Sequence, residues 1–519
     1  MGKKHAVIPY SFLAIFVVFI LFIVVPIAYL LTETGQSINY FVQSFQDSFF
    51  PALLLRTIII GFTVSLLTTI VGSLLGFFLY RTSIFASGIL KLLWIIPLLL
   101  SPYIEAVAIK KVGILLSMPH LFYSFSGVVL TLFIAYLPLA IVITGIAFYN
   151  TGRNLEEAAY LNAPKYKVAW KITILSNKHA IFSSIALIFI FSVSSFSVPS
   201  YMGVNVLATD IFTHFAAFYN YNYAVAQSIL LVFLCFLILL GDTKYIEKTA
   251  FFTKSNTNTN RFYGFSLKNK IVVSFVLWGL WLILIAFPIV TLFFNLFNNN
   301  LSELFTVWHI LFPAIKQSVI LALIASVFIV VIGYVSAFLS IRYHFKLFDK
   351  ILLFVFAVPS IVFGIALIRF YGFSWGEIIY SSTAILIIGY TGKYSFIASK
   401  ILGTSMQQIN ISLDEVAELS GAKLWKRIYY IWLPLLSPVI FLSFITGFIF
   451  SFKELSLTVM VYPPGMNLLP VKVYTLMANT PRIFIEAMLF VVFSVTLFIL
   501  AIMWMIYIWW LHKKGRVYK

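Results

Sequence analysis

The chain has 519 residues, of which 62% are hydrophobic and only 10% charged, and its mean hydropathy is +1.04. An average soluble chain is about 25% charged, so this one lacks the polar surface to coat a globule in water, and lipid must be the solvent for much of it. The single cysteine, Cys235, excludes a disulfide scaffold, and the net charge of +19 has to be read by its distribution across a bilayer before it is read as affinity for nucleic acid.

A membrane-spanning helix needs about 20 mainly apolar residues. Runs of that kind occur at 8–31, 54–80, 89–109, 122–149, 181–200 and 224–240, and again, beyond a polar stretch, at 271–294, 315–341, 351–371, 383–405, 437–461 and 485–511. The predicted fold class is therefore an all-α polytopic membrane protein with about twelve transmembrane helices. The first run follows Lys3 and Lys4 as a signal peptide would, but its apolar core is too long for a removable leader, so it is expected to stay as an anchor. With the first residue inside, 26 Lys and Arg fall on the inner side and seven on the outer, with Lys393 and Lys453 within spans. The positive-inside rule then predicts that both termini are cytoplasmic.

Residues 241–270 are polar and basic around Ser255-Asn256-Thr257-Asn258-Thr259-Asn260, a composition that cannot bury a core. Across this linker the chain repeats itself. Residues 53–81 align on 314–342, with Gly72 over Gly333 and Arg81 over Arg342, and Pro97 falls within one residue of Pro359. The predicted organisation is an N-terminal half (1–240), a cytoplasmic linker (241–270) and a C-terminal half (271–519), the halves being parallel six-helix repeats with a pathway between them.

The long inner loop of each half has the same plan. One reads Asn154-Leu155-Glu156-Glu157-Ala158-Ala159-Tyr160-Leu161-Asn162-Ala163-Pro164 and the other Ser412-Leu413-Asp414-Glu415-Val416-Ala417-Glu418-Leu419-Ser420-Gly421-Ala422. Asn154 and Ser412, each three residues before a glutamate, read as helix caps. A turn and a second basic helix follow, which makes an amphipathic elbow. One such loop could simply rest on lipid headgroups; two matched copies point to a two-fold partner.

At this point the chain resembles the permease subunits of binding-protein-dependent ABC importers, whose coupling loop reads E-A-A, three residues, G, nine residues, I-x-L-P. The second loop meets that pattern at Glu415, Ala417, Gly421, Ile431, Leu433 and Pro434, departing at Val416. The first keeps Glu157, Ala158, Ala159 and Leu175 but has Ala163, Thr173 and Ser176 in place of the glycine, isoleucine and proline. The resemblance looks closest to the fused iron(III) permeases, supported by Lys393-Tyr394, Glu454-Leu455-Ser456-Leu457-Thr458 and Pro463-Pro464-Gly465. It implies a multi-pass cell-membrane protein that moves a small solute, ferric iron first and thiamine or another small solute as the alternative. It also implies a cytoplasmic ATPase dimer under the elbows, with ATP bound by that separate subunit, and an extracytoplasmic binding protein above. No cofactor or metal is expected in this chain itself.

An ion-coupled secondary transporter would share the twelve spans but not the elbows. Gly372-Phe373-Ser374-Trp375-Gly376 matches a nucleophile-elbow pattern, yet it falls between two spans and not between a strand and a helix; Gly389-Tyr390-Thr391-Gly392-Lys393 lacks phosphate-loop spacing. No catalytic residues are assigned. Glu105, Lys393, Lys453 and Glu454 lie in or at the ends of apolar spans, where an ionised group is costly unless paired or facing water, and they are the candidate pathway residues. Pro97, Pro102, Pro138 and Pro359 are expected to interrupt spans.

Overall fold

Proline and apolar length decide most of the architecture. In the computed structural model, which describes residues 9–33, 38–46, 49–246, 267–299 and 302–517, the regular structure is helical throughout. Most of the linker, including the polar tract at 255–260, and the Lys3–Lys4 pair fall outside the described residues. Among those described, nine helices are long and apolar enough to cross a membrane, and two bent pairs bring the number to eleven. The remaining run, 383–405, forms a helix of 23 residues (Ala384–Met406) whose Gly389–Lys393 stretch makes it less apolar; much of it is buried against neighbouring helices, which shields that stretch from lipid.

The spanning elements of the first half are α1 (Tyr10–Glu33), α2 (Phe50–Arg81), the bent pair α3 (Ser87–Leu99) and α4 (Pro102–Leu115), and α5 (Phe125–Tyr149). The elbow helix α6 (Arg153–Tyr160), α7 (Lys165–Val193) and α8 (Tyr221–Ile246) complete it. The same order recurs as α9 (Leu267–Phe294), α10 (Glu303–Arg342), the bent pair α11 (Leu347–Ala357) and α12 (Ser360–Tyr371), α13 (Ala384–Met406), the elbow helix α14 (Ile411–Leu419), α15 (Leu424–Lys453) and α16 (Arg482–Trp509).

Two of the expected kinks are full breaks. The angle between α3 and α4 is 100°, and that between α11 and α12 is 102°. The cause is local: a residue preceding proline is pushed out of the helical region, and Ser101 before Pro102 has ψ 137°, Val358 before Pro359 has ψ 124°. Pro138, by contrast, sits inside the uninterrupted α5. The elbows also continue into their spans. The second short helix of each elbow runs through a π-helical turn, Ala169–Ile174 or Ile428–Trp432, into the spanning part of α7, by way of a 3-10 turn at Leu175–Asn177, or directly into that of α15, so these spans begin earlier than the apolar runs alone indicate.

The first helix of each repeat packs on the other repeat. Phe12, Phe16 and Phe19 of α1 meet Phe338, Phe345 and Phe348 edge-on, and Glu33 pairs with Arg369 of α12 at 2.6 Å. In return, Ser274 of α9 accepts the Phe85 N–H at 3.0 Å, and Trp281 donates to the Leu93 carbonyl at 3.2 Å. Lys111 of α4 joins the Leu292 carbonyl of α9, at 3.0 Å, to Glu486 of α16, at 2.6 Å.

Within each half the closest helix pair is glycine-dependent. A Cβ at Gly333 of α10 would lie 2.6 Å from the Ala398 Cβ of α13, and one at Gly72 of α2 would collide with Ala140 of α5. Small residues let helix backbones approach where no hydrophobic force drives helices together in lipid. Gly333→Val should therefore cost about 1–3 kcal/mol through overpacking and lower the thermal midpoint of the purified protein in detergent. Gly279→Ala, whose Cβ would meet nothing within 4 Å, serves as the control, and equal midpoints would contradict the close-approach argument.

Candidate functional site

Each elbow is held by a buried carboxylate that sequence reasoning passed over. In the first, Glu156 is completely buried and takes a hydrogen bond from the Arg81 guanidinium at the end of α2 and another, at 2.5 Å, from the Thr173 hydroxyl in the π-helical turn. In the second, the equivalent Asp414 is 1% exposed and receives Arg342 Nε at 2.8 Å from the end of α10, Arg427 Nη1 at 3.2 Å and the Trp432 indole N–H at 3.0 Å. Breaking a buried pair by removing one partner leaves an uncompensated charge, at a cost of about 3–5 kcal/mol. The glutamates singled out in the sequence lie one residue further on and are exposed: Glu157 faces outward, and Glu415 only approaches Arg342, at 3.7 Å.

The caps differ from expectation as well. Asn410, two residues before Ser412, caps α14 by accepting the Ser412 N–H at 3.2 Å, and Gly152 occupies the cap position of α6 in place of Asn154. Glu156 and Asp414 turn inward onto arginines and do not close a capping box.

The two turns are unlike each other. Gly421 has φ +78°, and the Ala422 N–H reaches back to the Ala417 carbonyl at 3.0 Å, so the second elbow closes through a left-handed glycine. Ala163 is not in the left-handed region; that turn passes into Pro164, whose φ of −67° suits the helix that follows. Ala158, Ala159 and Ala417 lie along the elbow helices. Ile431 sits in the π-helical turn, and Leu433 and Pro434 sit where α15 straightens. Glu418 adds to the second cluster, receiving Arg427 at 2.5 Å and Arg342 at 3.1 Å. Partial burial pushes its carboxyl up, but the two guanidiniums outweigh that and hold it below the ordinary value. Its contribution is therefore present at neutral pH and is lost as pH falls through the depressed value. Both elbows present large apolar side chains outward at matching positions, Leu155 with Leu413 and Leu161 with Leu419.

The second cluster of interest is a cavity of about 70 Å³ where the halves meet. It is reached from the breaks in both bent pairs (Ser101, Ser360), from Ser194, Ser195 and Ser197 beyond α7, and from Lys393, Tyr394, Lys453 and Glu454 of the second half. Three of the four candidate pathway residues thus come together. Glu105 lies beside them, buried against an adjoining apolar pocket with Ile104, Ile109 and Phe293 and near enough to Lys453 for the two charges to interact.

The two lysines solve a backbone problem. The last carbonyls of a helix have no partner within it, and in hydrocarbon they need one. Lys393 donates to the carbonyls of Phe356, at 2.9 Å, and Val358, at 2.5 Å, at the end of α11; Lys453 donates to that of Leu98, at 2.7 Å, near the end of α3. Glu454 accepts the Tyr394 hydroxyl and, at 3.0 Å, the Leu457 N–H at the start of the short helix Ser456–Val461. Between the halves Phe191 and Phe450 stack 6.1 Å apart and 9° from parallel, flanked by Tyr136 on Phe191 and Tyr394 on Phe450. In a chain with 18% aromatic residues, nothing in the sequence separates this quartet from lipid-facing rings.

Ser374 lies in a 3-10 turn, Ser374–Gly376, with no strand before it among the described residues, and the Gly389–Lys393 stretch is helical. Neither forms the site its pattern resembles.

A helical bundle with two elbows of matched construction and a polar cavity between its repeats is the build of a transport permease, and the comparisons point the same way. The model of the binding-protein-dependent transport system inner membrane component family matches residues 329–509, from α10 through the second elbow to α16. Over those residues the chain is similar to the inner-membrane permease components of binding-protein-dependent transport systems, and its relatives include proteins named as ferric permeases. It is 24% identical over 453 residues to a Haemophilus influenzae protein named as a ferric transport system permease, covering 79% of this chain and 70% of that one. It is 25% identical over 363 residues to a ferric transport system permease of Actinobacillus pleuropneumoniae, covering 64% of this chain and about half, 51%, of the relative. Over 193 residues it is 29% identical to a Salmonella typhi protein named as a 2-aminoethylphosphonate transport permease, covering 34% and 72%.

If the inward carboxylate holds the elbow, Asp414→Asn should speed tryptic cleavage at the exposed Lys423 and Lys426 by about tenfold, the scale of a loss above 1.4 kcal/mol. Glu415→Gln should change it less than twofold. Limited proteolysis followed by mass spectrometry reads both, and equal rates would show that Asp414 does not anchor the elbow.

Proposed function

We propose that this chain is the transmembrane pathway of an ATP-driven ferric iron importer, coupled through α6 and α14 to a separate ATPase dimer that binds the ATP. An extracytoplasmic binding protein delivers the solute from the opposite face, and both termini and the linker lie in the cytoplasm. The observation that carries this reading is the pair of arginine tethers, Arg81 to Glu156 and Arg342 to Asp414, which tie each elbow to a bundle helix. The iron assignment is supported by the names of the relatives that match the greater part of the chain.

Motion then has a continuous route. An elbow shifted by ATPase closure pulls its arginine and with it α2 or α10. Those helices are packed at Gly72 and Gly333 against α5 and α13, which carry Tyr136, Lys393 and Tyr394 to the cavity. The stacked Phe191 and Phe450 close the pathway between the halves, and their separation opens it. The division into halves at 1–240 and 271–519 follows the same account, each half supplying one elbow, one tether and one side of the aromatic closure. Glu157, Ala158, Ala159, Glu415 and Ala417 lie on the elbow faces offered to the ATPase, and Ile431, Leu433 and Pro434 shape the passage from elbow to span.

The two elbows are unequal in this reading. Gly421→Leu places a side chain at φ +78°, a conformation that costs about 1–2 kcal/mol without glycine, and misplaces α14 in its ATPase groove. Ala163→Leu carries no such backbone cost. Reconstituted with ATPase and binding protein at matched permease levels, Gly421→Leu should lose transport-coupled ATP hydrolysis while still inserting, and Ala163→Leu should be milder. Equal losses would refute the asymmetry. Uptake that follows an ion gradient without ATP would instead favour a secondary transporter.

A further inference from the structure

The cavity wall holds more free hydrogen-bond donors than free acceptors among its charged groups. A lysine ammonium has three N–H donors. Lys393, 2% exposed, has two of them on backbone carbonyls, and Lys453 has one on the Leu98 carbonyl. Three donors therefore remain on two ammonium groups that line the wall. The carboxylate of Glu454 is already engaged on both oxygens, by Tyr394 and by the Leu457 N–H. Glu105 lines the adjoining apolar pocket and lies close enough to Lys453 for the two charges to interact. The breaks bring N–H donors to the same wall: α4 opens at Ser101–Pro102 and α12 at Ser360, helices of 14 and 12 residues whose starts face the ends of α3 and α11 that the lysines cap.

From this geometry we infer that the cavity between the halves is an oxyanion-recognising transit site, at which Lys453, Lys393 and the starts of α4 and α12 contact anionic oxygen carried by the solute. The inference rests on the importer reading above and deepens it. Iron crosses as a ferric complex that brings its own anionic oxygen ligand, because the free N–H donors of the two ammonium groups and the helix starts can bind anionic oxygen and have nothing to bind on a bare trivalent cation. A free organic phosphonate offers the same chemistry. An arriving oxyanion competes with the carbonyls of Leu98, Phe356 and Val358 for the lysines, so its binding also loosens the breaks at which α3 meets α4 and α11 meets α12.

Ser360→Asp and Ser101→Asp test this without endangering the fold, since aspartate at the start of a helix stabilises it while placing negative charge at the cavity. The complete complex, reconstituted with its ATPase and binding protein, is supplied in one arm with radiolabelled iron and differently labelled citrate, and in the other with labelled 2-aminoethylphosphonate. Both aspartate variants should lower uptake of the solute that the wild type carries by at least tenfold, Lys453→Gln should lower it too, and iron should enter together with citrate. Iron entering without the anion, at a rate that Ser360→Asp keeps or raises, would overturn the inference. Wild-type uptake of phosphonate without iron would refute the iron assignment alone, and the aspartate variants would still decide the chemistry of the cavity. A readout that needs no partner is the reaction of Ser195→Cys, in a Cys235→Ser background, with negatively and positively charged methanethiosulfonates, each normalised to a free thiol. The anionic reagent should be favoured and Ser360→Asp should reverse the preference; a cationic preference in the parent would contradict the site.

Discussion

Each elbow hangs from the bundle by an arginine paired with an inward carboxylate, and in the second elbow Arg427 and Glu418 extend the pair into a cluster. A guanidinium cannot be left unpaired at the edge of hydrocarbon, and a carboxylate with almost no exposure cannot be left unpaired beneath an elbow. The two needs are met together, Arg81 with Glu156 and Arg342 with Asp414. The tether then determines which residues the elbow can present outward. With Glu156 and Asp414 turned in, Leu155, Leu161, Leu413 and Leu419 are exposed for a partner.

The same requirement, that no polar group in the membrane go without a partner, shapes the centre. Pro102 and Pro359 break two spans and free the carbonyls before the breaks; lysines of the second half cap them, one within its own half and one across to the first. In the proposed pathway these residues are structural and functional at once: the charges that hold the broken helices in place are the charges a solute would meet. The asymmetry follows too, since at the cavity the second half supplies two lysines and a glutamate where the first supplies Ser194, Ser195 and Ser197.

Much of this was legible in the amino-acid order. Twenty-residue apolar runs marked the spans, and the repeated loop marked the elbows, because both signals are local. What escaped was non-local or depended on direction. A run of 21 apolar residues reads alike whether straight or folded through 102°, so the prolines announced a kink and not a break. The exchange of α1 and α9 between the halves leaves no trace in an apolar stretch. Glu157 and Glu415 matched a pattern, but the helix turns their neighbours Glu156 and Asp414 inward, and only the alignment of Arg81 with Arg342 could have pointed to the partners. Lys393 and Lys453 were marked as costly residues; their partners, backbone carbonyls at the breaks, have no sequence signal of their own.

The account stands or falls on whether the arginine tether transmits elbow movement to the bundle. The direct measurement is the amount of iron imported per ATP hydrolysed by the reconstituted complex carrying Arg342→Met together with Asp414→Leu, which removes both charges so that neither is left buried alone against the other's absence. The account predicts that hydrolysis persists while the ratio falls at least tenfold, because the ATPase still closes but α10 no longer follows. An unchanged ratio would contradict it.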